Sequence, residues 1–363
     1  MSLQKCSAIN IKLFSLTIIC VLSLNSNVFA RGLLPEDLAK IQTVSDPDFH
    51  PDGKRVVYSV DETDYKHDVS MSDLWHVDID GKSPALRLTQ TESNEWLPMY
   101  SSDGKYIYFL ADYGKDEITQ VWKMPAKGGK AKVITQFTQG VEDYDLSPDG
   151  KQLAVIVKDS KLKVGEKKSL HPKPIVTTRF QFKEDITGYL DDRRLHVYLV
   201  QTADGNSIQL TKGEHDEYLP AFSPDGKHIA FVTKRGDDPD RLLNNDIYTV
   251  EAKQSGAEKQ ITHYIGTDLD PYWETRPAWS PDGKKIAYVR SGESKWIYYM
   301  PWQLAIVDVQ SGLESQPALL DQFVIKPIWS VDNKHVFALL ESPQAMHAVK
   351  VDTISGQVEM LTS

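Results

Sequence analysis

Two charged segments carry the side chains in this sequence that are best suited to contact a substrate. The first combines residues 179–185 with residues 191–194, and the second covers residues 235–241. Their arginines and aspartates could bind a charged substrate, or they could form salt bridges and turn caps along the edges of folded repeats. Both interpretations remain open from the sequence. The residues predicted to contribute to binding are Arg179, Arg193, Arg194, Asp240 and Arg241.

The same search gives no catalytic or metal-binding motif. An α/β-type serine hydrolase needs Gly-x-Ser-x-Gly, because the turn tolerates only small residues beside the nucleophile. The three Gly-x-Ser triplets, at Gly81, Gly205 and Gly292, all lack the second glycine, and the ten histidines form no His-Glu-x-x-His pattern. Residues 214–217 could supply metal ligands, but their position before a predicted strand favours a solvated acidic loop. We therefore expect no catalytic residue, no metal and no cofactor.

These segments lie within a repeat that predicts the architecture. A turn of the form Ser-Pro-Asp-Gly-Lys, with small variations, occurs six times at spacings of 51, 46, 76, 57 and 50 residues. Proline presets φ for the first corner of a turn, aspartate caps it, and glycine adopts the left-handed conformation that reverses the chain. In the last copy Asn333 replaces glycine. The turn aspartates are Asp52, Asp103, Asp149, Asp225, Asp282 and Asp332.

Each turn lies between strand-like runs. A run such as Ile229–Val232 follows the turn, a third run such as Asp246–Val250 comes next, and the fourth usually ends in Leu-Thr or Ile-Thr. Four strands in a period near fifty residues predict an all-β fold, a β-propeller of four-stranded antiparallel blades with TolB-like or WD-like repeats. We count six blades, and the pattern leaves open whether a seventh is missing.

The first thirty residues resemble a secretory signal. Lys5 and Lys12 give a positive start, residues 13–24 are apolar, and residues 28–30 suit a cleavage site. The apolar run is too short to span a bilayer, so we expect no membrane span after cleavage. The sequence predicts a signal peptide over residues 1–30 and a periplasmic or secreted protein.

Cleavage would also change the chemistry of the chain. It would remove both cysteines, Cys6 and Cys20, so the mature protein would have no disulfide. The remaining 39 basic and 51 acidic residues give a net charge of −12. This charge argues against nucleic acid and anionic membranes as partners.

The predicted propeller covers residues 31–363 and has two additions. A short helix is predicted over residues 34–41, with Pro35 in its first turn. An insertion over residues 158–194 separates the second and third strands of blade 3. Its first half is basic and its second half mixes aromatic and charged residues. Such a long departure from a regular repeat is usually functional or disordered.

Several stretches of the chain resemble the N-terminal propeller of the prolyl oligopeptidase family, in its acylaminoacyl-peptidase and dipeptidyl-peptidase branch. In that family the propeller is a lid over an α/β-hydrolase domain that carries Ser, Asp and His, and it admits short or unstructured peptides. Family propellers typically have seven blades, and a missing blade would expose a sheet face on each neighbour. The resembling stretches are residues 34–38, 44–47, 72–75, 182–194, 238–241 and 245–248.

The resemblance implies a function with one departure, since no hydrolase motif follows the propeller. We therefore expect the non-catalytic, substrate-gating propeller of a secreted serine peptidase, present as a truncated or split chain that is inactive alone. Its partners would be a hydrolase domain or peptide substrates. The alternative is a free-standing TolB-like propeller that binds periplasmic proteins, which a closed six-bladed ring would favour.

Overall fold

The computed structural model describes residues 31–160, 174, 176–185, 188–271, 275–296, 299–343 and 345–362. The predicted signal peptide lies outside these residues, as does most of the basic half of the insertion. Within the described ranges, no helix has the length and apolar character that crossing a membrane would require.

The predicted order of four antiparallel strands per blade is confirmed in blades 1 to 3. Blade 1 contains β1 (Thr43–Phe49), β2 (Arg55–Asp64), β3 (Val69–Asp78) and β4 (Leu86–Arg87). Blade 2 contains β5 (Glu95–Tyr100), β6 (Tyr106–Ala111), β7 (Gln120–Pro125) and β8 (Lys132–Val133). Blade 3 contains β9 (Asp143–Leu146), β10 (Gln152–Lys158), β13 (Leu195–Gln201) and β14 (Ser207–Gln209), and its insertion forms the hairpin β11 (Lys183–Glu184) and β12 (Gly188–Tyr189).

Blades 4 to 6 follow the same order, except that the inner strand of blade 5 is split into two pieces. Blade 4 contains β15 (Glu217–Phe222), β16 (His228–Thr233), β17 (Asp246–Glu251) and β18 (Glu258–Gln260). Blade 5 contains β19 (Gly266–Asp268), β20 (Ala278–Trp279), β21 (Lys285–Glu293), β22 (Gln303–Asp308) and β23 (Glu314–Ser315). Blade 6 contains β24 (Val324–Trp329), β25 (His335–Ser342), β26 (Ala345–Asp352) and β27 (Val358–Met360).

The repeated turn joins the first two strands of each blade by the predicted chemistry. In blade 2 the Ser101 hydroxyl donates to Asp103 at 2.7 Å and accepts the backbone N–H of Tyr106 at 3.0 Å. Gly104 has a φ of +68°, the left-handed region that closes the turn, and Asn333 takes the same role in blade 6 with a φ of 60°. Local sequence therefore fixes the register of the two strands.

The inner strands share a feature that the sequence analysis did not anticipate. In four blades a residue with positive φ directly precedes a proline, and the ladder to the second strand shifts register there. Each is a β-bulge, where proline is tolerated because its missing N–H costs no ladder bond. The bulge residues are Asp46, Leu97, Leu219 and Lys326.

Five apolar clusters join successive blades, from blade 1 to blade 6. A middle blade is covered on both faces, so its second strand is buried along its length. In blade 3, residues 153–157 are all buried. Each inter-blade layer thus contributes to the core as face-to-face sheet packing does in a sandwich.

Blades 6 and 1 do not form a sixth layer. Among the described residues, no apolar cluster, hydrogen bond or salt bridge joins them. Phe337 of blade 6 is 37% exposed, whereas its structural equivalents in blades 1 to 5 are 0–1% exposed. Phe49 of blade 1 is 61% exposed, although its equivalents Tyr100, Phe222 and Trp329 are 7–8% exposed. Each of the two end blades thus has one uncovered face.

The two additions to the propeller are short or irregular where they are described. The N-terminal helix α1 spans Pro35–Leu38, which is shorter than the predicted 34–41. Arg31 and the backbone N–H of Leu34 bind the carboxylate of Asp37 and hold this turn in place. The chain leaves blade 3 after β10 and returns to it at β13, with the hairpin of β11 and β12 between them.

Candidate functional site

A buried ion pair fixes the insertion hairpin to blade 4. Arg179, just before the hairpin, donates from Nε and Nη2 to the two carboxylate oxygens of Asp240 at 2.9 and 2.6 Å. The backbone N–H of Gln181 donates to the same carboxylate at 3.2 Å. Asp240 lies in a short 3-10 helix, Pro239–Arg241, in the loop between β16 and β17. This paired, two-pronged geometry is among the stronger side-chain contacts in proteins.

A second arginine extends this ion pair into a four-residue network, which we call the hairpin anchor: Arg179, Arg194, Asp216 and Asp240. Arg194 Nη1 lies 3.1 Å from Asp216 Oδ2 and 3.5 Å from Asp240 Oδ1. The hydrogen bond from Arg179 is the largest influence on Asp240 and lowers its pKa to about 2. With two cations and two anions, the hairpin anchor is electrically balanced.

Three of the five residues predicted to bind a substrate are therefore together, and two are not. Arg193 lies outside the anchor and pairs with Asp191 through Nε at 2.8 Å. Arg241 pairs with Asp238 at 2.9 Å, and its guanidinium lies 3.9 Å from the ring centroid of Phe180. Arg241 is the exposed member, with 61% of its side chain accessible. The salt-bridge interpretation describes the present partners of all five, and their role in binding stays a prediction.

A histidine–carboxylate group lies directly beside the hairpin anchor. His196 Nδ1 lies 2.8 Å from Glu217 Oε2, and His215 and Arg235 approach the other oxygen of Glu217. Burial alone would raise the pKa of Glu217, but the bonds from His196 and His215 outweigh it and lower the pKa. Burial likewise opposes protonation of His196, yet the hydrogen bond and charge of Glu217 raise its pKa.

The expectation of a solvated loop at residues 214–217 was wrong for Glu217, which is fully buried. A sequence signal could have found it, because Glu217 follows the strand-ending Thr211 by six residues. Glu95 follows Thr89, and Asp268 follows Thr262, at the same distance. All three acids are buried; Glu95 and Glu217 begin their inner strands, and Asp268 ends the short strand β19. The spacing thus marks a structural position between two blades.

Exposed apolar side chains lie on the anchored hairpin and on the neighbouring loop of blade 4. Phe180 and Phe182 on one side and Tyr189 on the other are all exposed, and Leu242 and Leu243 of the neighbouring loop are partly exposed. We call these five residues the hairpin platform. Solvent-facing aromatic groups of this kind on a rigid support are typical of protein or peptide contact surfaces.

The chemistry of this region suits binding better than bond cleavage. Its charges are paired, and in the described part of the chain no group of three or more His, Cys, Asp or Glu side chains is placed to hold a metal ion. Aromatic rings offer a large contact area at a low entropic cost, while the anchor limits the movement of the hairpin that carries them. The arrangement can hold an extended or apolar segment of polypeptide against the ring.

The family comparison agrees with this fold. Residues 36–185 match the family described as the TolB beta propeller domain. An uncharacterized peptidase, YuxL, of Bacillus subtilis is 28% identical over 222 residues, which are 59% of this chain and 33% of YuxL. Dipeptidyl-peptidase 5 of Porphyromonas gingivalis is 26% identical over 349 residues, which are 91% of this chain and 49% of that peptidase. The chain thus spans a third to a half of these curated relatives.

A solved structure supports the fold in the same way. The acylaminoacyl peptidase of Pyrococcus horikoshii superposes with a TM-score of 0.66 at 16% identity, covering 90% of this chain and 47% of the peptidase. At this identity the likeness establishes the fold alone. The resemblance to peptidase propellers, first seen in short sequence stretches, therefore extends over almost the whole chain.

Proposed function

We propose that this chain, a TolB-like β-propeller with peptidases among its relatives, is the substrate-gating propeller of a serine peptidase. It would act outside the cytoplasm, in agreement with the signal-like segment at residues 1–30. The propeller would restrict access to an α/β-hydrolase domain and leave the chemistry to that domain. The peptides admitted would be short or unstructured.

The observation that carries the proposal is the hairpin platform held by the hairpin anchor. A gate must present a defined surface to a passing peptide, and a loose loop would lose conformational entropy on each contact. Here Arg179 and Asp240 hold the hairpin against blade 4 by two hydrogen bonds, so Phe180 and Phe182 are presented on a fixed base. The acidic charge of the chain would favour basic or neutral peptides over acidic ones.

A chimera tests this proposal. Residues 31–362 would replace the propeller of Porphyromonas gingivalis dipeptidyl-peptidase 5, and a fluorophosphonate probe would report whether the hydrolase domain is folded. Two substrates would be compared, a short fluorogenic peptide and the same peptide fused to a stably folded protein. We expect cleavage of the short peptide and protection of the fusion. A probe-reactive chimera that cleaves both equally would overturn the proposal.

The hairpin platform can be tested in the same chimera. Phe180→Ser with Phe182→Ser removes two exposed rings and should change KM for the peptide more than kcat, because the rings only contribute binding. Leu313→Ser, which replaces another exposed apolar residue on blade 5, is the matched control. If both changes alter KM equally, the hairpin platform has no specific role in peptide binding, whether or not the propeller gates the substrate.

The alternative function is protein binding by a free-standing TolB-like module, and the family match over residues 36–185 favours it. Under this alternative the uncovered faces of blades 1 and 6 would be covered by ring closure or by a protein. A chimera that gates no substrate, together with a stable and monomeric isolated chain, would favour this alternative.

A further inference from the structure

A small hydrogen-bonded motif recurs at the rim of the ring, where one blade meets the next. In five blades the threonine that ends the fourth strand accepts the backbone N–H of the third strand at 2.9 Å. The third-strand residue just before this N–H lies beside the threonine, and in three blades an acid of the next inner strand lies close to both. The threonines are Thr89, Thr135, Thr211, Thr262 and Thr362.

The motif follows a pairing rule between adjacent blades. Where this third-strand residue is Asp or His and another blade follows in the chain, the next inner strand has an acid six residues after the threonine. The threonine hydroxyls of Thr89 and Thr211 lie 3.0 and 3.1 Å from the acids Glu95 and Glu217. The residue pairs are Asp73 with Glu95, His196 with Glu217, and Asp246 with Asp268.

Glutamine changes the rule, because backbone groups of its own blade satisfy the hydrogen bonds of its side-chain amide. Gln120 donates to the carbonyl of Phe137 at 2.6 Å, and Gln303 accepts the N–H of Leu320 at 2.7 Å. The residue at the acid's position is then valine: Val141, just before β9, and Val324, the first residue of β24. A glutamine therefore needs no partner from the next blade, whereas a histidine or aspartate has a buried carboxylate beside it.

Blade 6 has the histidine and the threonine of this motif, but among the described residues it has no acid paired with them. Its third-strand position is His347, paired across the sheet with Leu340, and its threonine is Thr362. Thr362 Oγ1 lies 3.5 Å from His347 Nδ1, and no acid joins them in the described residues. Blade 1, the only other blade with an uncovered face among the described residues, has Val44 at the matching position.

The uncovered face of blade 6 is apolar next to this half-motif. Cross-strand pairing places Ile328 beside Phe337 and Ile325 beside Leu339 on that face. The equivalents of Phe337 and Leu339 in the other five blades are all buried under the following blade. The face therefore has the composition of an inter-blade surface rather than that of a solvated sheet.

We propose that the free face of blade 6 binds one further four-stranded β-blade, whose inner strand begins with an aspartate or glutamate that pairs with His347 and Thr362. Continuity with the five existing interfaces argues for a blade as the occupant. The pairing rule argues for its acid, as His196 with Glu217 is the matching pair within this chain. Blade 1, of the same chain or of a second copy, lacks this acid because it carries Val44. This inference is independent of the gating function.

The first test asks whether the face is free in the isolated chain. Residues 31–363 contain no cysteine, so a single introduced thiol reports on its own position. Phe337→Cys lies on the free face, and Ala338→Cys points to the covered face toward blade 5 and is the control. We expect a maleimide to label Phe337→Cys in the native state and Ala338→Cys only on unfolding. If Phe337→Cys is protected at all protein concentrations, blade 6 closes on blade 1 of the same chain. If the protection depends on protein concentration, a second copy of the chain covers the face. Either result would overturn the proposal.

The second test supplies a blade of known composition. A duplicate of residues 212–262, which is blade 4 with Glu217 at its start, would be fused after Ser363 of the full chain carrying Phe337→Cys. We expect the fused blade to protect the thiol from maleimide. Glu217→Val in the duplicate alone should reduce this protection roughly tenfold, the range of a coupled pair in contact.

His347→Ala completes a double-mutant cycle with this substitution. If the acid binds His347, the difference between the Glu217 and Val forms of the duplicate should largely disappear when His347 is absent. Circular dichroism would confirm that every variant is folded. An unprotected thiol in the fusion would overturn the docking of a blade, and an equal response with and without His347 would overturn the pairing.

Discussion

Arg276 of blade 5 donates hydrogen bonds to the carboxylate of Asp143 in blade 3 and, at 2.8 Å, to the carbonyl of Pro220 in blade 4. One side chain therefore joins the inner strands of three blades. Burial raises the pKa of Asp143, and the charge of Arg276 opposes that rise. Among the described residues the two end blades share no packed interface, so such a contact limits how far the middle blades can separate.

Arg276→Gln should destabilise the protein by about 3 kcal/mol, because it leaves buried carboxylates without their cation. Urea unfolding followed by tryptophan fluorescence would measure the loss. The double variant Arg276→Gln with Asp143→Asn should regain part of the stability, since it removes the carboxylate charge that the single variant leaves unpaired. A single variant as stable as the parent would show that Arg276 is not needed to hold the inner strands together.

Arg179→Met should detach the insertion hairpin while leaving the propeller folded. Asp240 would lose its main partner, and the local contact would weaken by about 1–3 kcal/mol. We expect faster trypsin cleavage after Lys183 with little change in the main unfolding transition. Arg193→Gln is the control, because its side chain pairs with Asp191 outside the hairpin anchor, and it should leave cleavage after Lys183 unchanged. Similar cleavage rates of the two variants would contradict the role of Arg179 in holding the hairpin against blade 4.

Stability should rise as the pH falls from neutral to about 5. Burial is the main cause that raises the pKa of Asp48 and Asp145 to about 6 and that of Asp268 to about 7, against 3.8 in the unfolded chain. A carboxyl whose pKa is raised on folding stabilises the fold below the unfolded value, and this stabilisation is lost as the pH rises through the folded value. Asp240 acts oppositely, with a folded pKa of about 2, so its contribution is lost only below about pH 4.

Urea titrations between pH 4.5 and 7.5 would measure this slope. Asp48→Asn should flatten it, because an amide can still accept the N–H of Tyr100 that Asp48 binds at 2.7 Å but does not titrate. Asp52→Asn, in the exposed turn of the same blade, should leave the slope as it is. A slope that is unchanged by Asp48→Asn would assign the pH dependence to other groups.

Glu217→Gln should cost about 3 kcal/mol of folding free energy, since it removes the anion that faces His196, His215 and Arg235 in a buried position. Chemical unfolding at pH 6, below the raised pKa of His196, would measure the effect. Glu214→Gln, an exposed residue of the same loop, is the matched control and should change stability little. Equal effects of both changes would mean that the carboxylate is not specifically paired.

Local chemistry made the blades predictable. The turn at Asp103 and Gly104 uses bonds between residues that are close in sequence, so its geometry follows from the motif. The order of four strands followed from the same repeats. The bulges before proline, as at Leu97, were equally local but were missed, because a proline within a strand was not read as part of the repeat.

The residues of the hairpin anchor were predictable only as types. Arg179 and Asp240 are 61 residues apart, and Arg194 and Asp216 belong to different blades. Their proximity depends on where the insertion folds back, which no spacing rule encodes. Arg193, next to Arg194 in sequence, lies outside the anchor because successive residues point to different sides of the chain.

The sequence by itself determined the repeat, the turn geometry and the strand order, because each depends on residues within one period. Tertiary structure alone decided which charges meet, as with Arg276 and Asp143, and which apolar faces are covered. Phe49 and Tyr100 occupy the same place in the repeat, yet only Tyr100 has a blade in front of it. Burial depends on the neighbour, and a repeat does not state whether its first and last units have one.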